Sequence, residues 1–84
     1  MCMSDMKLLV GKRLREFRED VLKISVHDLS ERTGIHFKTI RSFENGLSTN
    51  MNHLQTYFNQ TDETNEQQYL DLITQLLKDM KNGN

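Results

Sequence analysis

The segment Ser25–Gly46, SVHDLSERTGIHFKTIRSFENG, constrains the fold more than any other part of the chain. It spells two short amphipathic helices joined at a glycine. Ser25 is a helix-start residue, and Asp28, three positions on, brings a negative charge to the first turn. Val26, Leu29, Ser30 and Thr33 form the inward side of that helix. Gly34 ends it where a left-handed residue is needed, and Ile35 follows as a buried turn residue. His36 or Phe37 opens the second helix, Ile40 and Phe43 face inward from it, and Asn45-Gly46 closes it.

The flanking sequence is helical in pattern as well. Leu9, Val10, Leu14, Phe17 and Val21 lie along one stripe of a first helix spanning about Met6 to Leu22. Gly11 inside it costs up to ~1 kcal/mol relative to alanine, which points to close packing against another backbone. Leu47 to Asn50 reads as a polar connector, and Met51, Leu54, Tyr57 and Phe58 mark a short fourth helix. Residues 59–65 contain no apolar side chain and read as a linker or long turn. The last helix, about Glu66 to Met80, carries apolar residues over an arc of roughly 160° at about 100° per residue. That arc is wide for a helix with one neighbour, so part of it is expected to pack on a second subunit. With 84 residues, no proline and little β-branched clustering, an all-α domain of four to five helices is predicted.

Charge is unevenly spread. Residues 7–46 hold nine basic and six acidic side chains, a balance of +3, whereas residues 47–84 carry −3. A cationic head with an acidic accessory segment follows, although the whole chain is −1. Two helices joined by a tight turn leave the outer side of the second free, and the commonest partner of that arrangement is the DNA major groove. No apolar stretch approaches the ~20 residues needed to span a bilayer, and Asp71 and Asp79 oppose a membrane-surface role for the last helix. The start of the chain lacks the pattern of a signal peptide, and the single cysteine, Cys2, suits a reducing cytoplasm and reads as a bystander. His27, His36 and His53 lack metal-site spacing, so no metal or cofactor is expected. Without a nucleophile elbow, a phosphate loop or a carboxylate pair, no enzyme activity is expected either.

Three segments in order, Gly11–Glu19 (GKRLREFRE), Leu29–Ile35 (LSERTGI) and Thr39–Gly46 (TIRSFENG), resemble the Xre or lambda-repressor/Cro-like helix-turn-helix family. The resemblance covers about Val10 to Phe58. It implies a DNA-binding domain over residues 6–58, to which the pattern adds a linker or turn over 59–65 and a C-terminal amphipathic helix over 66–81. It further implies a sequence-specific regulator of transcription that binds double-stranded DNA as a homodimer. Phe37, Lys38, Arg41 and Ser42 match the family's base-facing positions. Lys12, Arg18, Ser25, His36 and Asn45 match its phosphate-positioning ones. Arg18 and Glu44 match a pair that sets the angle of the reading helix, expected here as an exposed salt bridge contributing ~0–1 kcal/mol. Dimerisation is expected through Tyr69, Leu72, Ile73, Leu76 and Met80. The sequence departs from the family pattern at Val26, where glutamine is common, at Phe37, and in the loop after Arg18, one residue longer and without glycine.

The implied function is a small cytoplasmic repressor of the phage or mobile-element type that acts by occupying its operator. Net acidity, Val26 and Phe37 motivate a second expectation, an adaptor or antagonist that binds another regulatory protein through the same fold. A third is an autoregulating antitoxin.

Overall fold

Val10, Leu14 and Phe17 recur at spacings of four and three, and they form the buried side of α1, Met3–Phe17. The structure is a computed structural model that describes residues 3–82; Cys2 lies outside the described residues. A π-helical turn, Arg18–Leu22, extends α1 and is followed by α2 (Val26–Thr33), α3 (Phe37–Glu44), α4 (Met51–Asn59) and α5 (Glu66–Asn82). No strand occurs among the described residues, and no helix is long and apolar enough to cross a membrane.

The first helix is thus α-helical only to Phe17. With no glycine available to close it, the backbone widens, and the Arg18 carbonyl accepts the amides of both Lys23 and Ile24. Lys23 takes the left-handed conformation (φ 56°) that glycine usually supplies at such an end.

Local chemistry then sets α2 and α3. The Ser25 hydroxyl accepts the Asp28 amide at 3.0 Å, and the Asp28 carboxylate accepts the Ser25 amide at 3.5 Å, so both halves of a capping box form. Gly34 closes α2 with φ 77°, its amide bonded to the Ser30 carbonyl. Two α2 hydroxyls satisfy the turn backbone: Ser30 donates to the Ile35 carbonyl at 2.6 Å, and Thr33 accepts the Ile35 amide at 3.2 Å. The His36 imidazole caps α3, with Nδ1 accepting the Lys38 amide at 3.1 Å. At the other end, the amides of Gly46 and Leu47 return to the carbonyls of Phe43 and Ser42, a Schellman closure.

Residues 59–65 form an ordered turn. The Asp62 carboxylate accepts the Thr64 amide and hydroxyl, which hold it below the usual carboxylate range, and the Asp62 carbonyl accepts the Glu66 amide. α5 therefore folds back on its own chain. The Tyr69 ring meets Phe17 edge-on at 5.1 Å, its hydroxyl donates to the Leu54 carbonyl at 2.6 Å, and Asp79 lies 3.7 Å from Arg13. This corrects the expected dimer surface at two positions: Tyr69 (3% exposed) and Leu76 (2%) belong to the core, whereas Leu72, Ile73 and Met80 pack against it half-buried. The wide apolar arc is real, but its most apolar part faces inward because α5 covers both α1 and α4.

Gly11 sets how closely α1 and α3 approach. A Cβ at this position would lie 2.5 Å from the carbonyl oxygens of both Phe43 and Glu44. Gly11→Ala is expected to cost about 1–3 kcal/mol in chemical denaturation through backbone displacement. Gly34→Ala meets open space and is expected to cost about 1–2 kcal/mol from its left-handed backbone alone.

His53 is buried on α4, its ring 4.5 Å from Phe43, and its Nδ1 has no hydrogen-bond partner among the described residues. Burial lowers its pKa below the usual 6.5. The unfolded chain therefore binds a proton more readily than the folded one, and the resulting stability is complete above pH 6.5 and lost as pH falls below it. The melting temperature is expected to drop between pH 7.5 and 5.5, and His53→Leu is expected to flatten that slope.

Candidate nucleic-acid interface

The side of α3 opposite Ile40 and Phe43 is its solvent side. Lys38 and Arg41 are exposed there, Ser42 is half-exposed, and Asn45 stands exposed just past the helix end. Phe37 shares this side but is half-buried among polar neighbours. His27 of α2 lies 4.8 Å from its ring centre, His36 stacks at 4.6 Å, and the Arg41 guanidinium sits 5.1 Å over it. Phe37 thus forms a platform that steadies Arg41 through a cation–π contact, rather than a free apolar probe. The structure brings Phe37, Lys38, Arg41 and Ser42 to one surface, with Phe37 the least accessible of the basic–aromatic set.

Behind this surface the anchoring is ionic and buried. Arg18 Nε and Nη2 donate to the two carboxylate oxygens of Glu44, both at 2.9 Å, and Nη1 donates to the Ile24 carbonyl at 2.8 Å. Tyr57 of α4 donates to the same carboxylate at 2.5 Å. Arg18 and Glu44 are each 6% exposed. The expected exposed pair is therefore a buried, bidentate one, and Arg18 is corrected from phosphate contact to anchor, since its guanidinium is committed inward. The hydrogen bond to Glu44 raises the Arg18 pKa, while burial, followed by Glu44, raises that of Tyr57. Both shifts keep Arg18 charged and the Tyr57 hydroxyl protonated at neutral pH.

The remaining expected phosphate contacts are all exposed. Lys12 is exposed beside Gly11, the residue that touches the end of α3. The Ser25 hydroxyl is used within its capping box, and His36 Nδ1 within its own cap, leaving Nε2 as the polar atom that His36 can offer. A polar cleft of about 310 Å³ opens between α1, α2 and the end of α3, lined by Arg15, Arg18, Val26, Arg41, Glu44 and Asn45. Val26 contributes a small apolar wall to it.

Sequence reasoning missed three contributors. Arg15 borders the cleft, and its position three residues before Arg18 on α1 was a usable signal. His27 packs on Phe37, a contact that needs the turn geometry. Tyr57 completes the ion pair although its helical spacing marks it only as a core residue. Among the described residues no group of three or more His, Cys, Asp or Glu side chains is placed to hold a metal.

Removing the Glu44 carboxylate strands a buried guanidinium. Glu44→Ala is expected to destabilise the fold by about 3–5 kcal/mol, whereas the paired change Arg18→Met with Glu44→Leu is expected to recover most of that loss. Urea denaturation of the two variants checks both values. Comparison with protein-family models, with curated proteins and with solved structures finds no match for this chain.

Proposed function

We propose that this chain is a helix-turn-helix regulator of the Xre or lambda-repressor/Cro-like type, with α2 and α3 as its two-helix unit. It binds double-stranded DNA in the cytoplasm as a homodimer and represses by occupying its operator. One observation carries this reading: α3 presents Lys38, Arg41 and Ser42 to solvent while a buried ion pair fixes the helix from behind. A major groove admits a helix, and guanine O6 and N7 suit an arginine or lysine, while a serine hydroxyl serves several bases. Lys12, His36 and Asn45, together with the first-turn amides of α2, contact phosphates and set the register of α3. The +3 balance of residues 7–46 supports contact with a polyanion, and the acidic remainder of the chain limits non-specific attachment.

A second reading, an adaptor that engages another regulatory protein, is favoured by the overall charge of −1 and by the exposed apolar side chains of Leu47, three residues past α3, and Met51, the first residue of α4.

Selection of bound duplexes from a random library separates the two. The proposed reading expects an enriched pair of half-sites about 34 Å apart, one helical turn. Arg41→Ala is then expected to cost about 1–3 kcal/mol on the selected site and to relax preference at one position. Lys12→Ala is expected to weaken all sequences alike and to reduce the salt slope by about 1. A library with no enriched sequence at low salt overturns the DNA reading in favour of the adaptor.

A further inference from the structure

Leu70 and Leu77 are exposed on α5, the latter at 61%, and Met51 of α4 is 76% exposed beside them. Between the two helices runs an apolar trough with Leu54 and Ile73 along its length, and Met51, Leu70 and Leu77 border it. No Asp, Glu, Lys or Arg occurs from Asn45 to Thr61, so the α4 side of the trough is uncharged over its whole extent. Depletion of charge around an apolar centre distinguishes interface cores from ordinary surface.

The charges that flank this strip on α5 identify what covers it. At about 100° per residue, Glu66, Leu70, Ile73, Leu77 and Lys81 fall within an arc of about 80°. The acid is at one end of the strip and the base at the other. Both are exposed, and neither forms an ion pair with another described residue.

We propose that a second copy of the chain docks here, α5 against α5 in antiparallel orientation, with the two-fold axis beside Ile73 and Thr74. That register sets Glu66 opposite the partner's Lys81 and Leu70 opposite the partner's Leu77, each twice by symmetry. A parallel pair instead sets Glu66 beside Glu66 and Lys81 beside Lys81, so the charge order selects the antiparallel one. One helix face is smaller than the ~800 Å² that a stable interface buries per partner, and Met51 on the α4 side widens it. Of the set expected from the sequence this surface keeps Ile73, and Leu70 and Leu77 stand in place of the buried Tyr69 and Leu76. The inference rests on the dimeric arrangement in the reading above, not on DNA recognition.

Sedimentation equilibrium across a concentration series, without DNA, tests it on the full chain. The wild type is expected to dimerise. Leu77→Asp, at an exposed position, is expected to keep the wild-type circular dichroism and to raise the dimer Kd about 100-fold by placing an unpaired charge in the apolar seam. Glu66→Lys alone is expected to weaken the dimer about tenfold, and Glu66→Lys with Lys81→Glu to restore it. A monomeric wild type, a Leu77→Asp dimer of unchanged Kd, or a double variant that stays weak overturns the proposal. The last result assigns the two charges to the helix ends alone. A wild type that dimerises as expected but selects no DNA leaves this interface standing and removes the regulator reading.

Discussion

Glu44 accepts three hydrogen bonds inside the domain, two from Arg18 and one from Tyr57, and through them one carboxylate ties together the end of α1, the end of α3 and the middle of α4. Desolvating an ion pair is expensive, and an apolar replacement often stabilises as well as the pair does. Its consequence is directional. A bidentate guanidinium–carboxylate contact admits one relative orientation, whereas leucine contacts admit many. The third guanidinium bond, to the Ile24 carbonyl, carries that orientation on to the entrance of α2. The two helices of the candidate reading unit are therefore referenced to the same arginine.

Electrostatics and packing divide the molecule into faces of different character. Around α3 the surface is basic and polar, with Arg41 held over Phe37 and a cleft where three arginines converge. Across α4 and the adjoining edge of α5 it is apolar and nearly without charge. The core between them is small. Among the described residues, nine buried apolar side chains drawn from all five helices make it up, so each helix depends on the others for cover.

The all-helical character, the boundaries of α2 and α3 and the start of α5 were legible because short-range chemistry determines them: a serine cap, a left-handed glycine, an Asn-Gly stop. Gly11 was legible too, since an unfavourable residue in a helix asks for a packing reason. What escaped depends on contacts distant in sequence. Arg18 and Glu44 are twenty-six residues apart, and two charged side chains read alone belong on the surface; only the folded chain encloses them. Tyr57 has the spacing of an apolar residue, and its hydroxyl has no meaning until Glu44 arrives beside it. The π turn replaces an expected α-helical end because the chain lacks a glycine there and Lys23 accepts the left-handed role. For α5, an apolar arc gives its width and not its neighbours, so Tyr69 and Leu76 pointed as readily to another subunit as to α1 and α4.

The contact at Gly11 has a consequence for how sequence change can proceed in such a domain. Elsewhere the separation of two helices is a compromise among side chains, and it drifts as they are exchanged. Between α1 and α3 main chain rests on main chain, so the gap is set by atoms that no substitution elsewhere alters. The outward residues of α3 can then be exchanged for others while the rod that carries them keeps its height above the body of the protein.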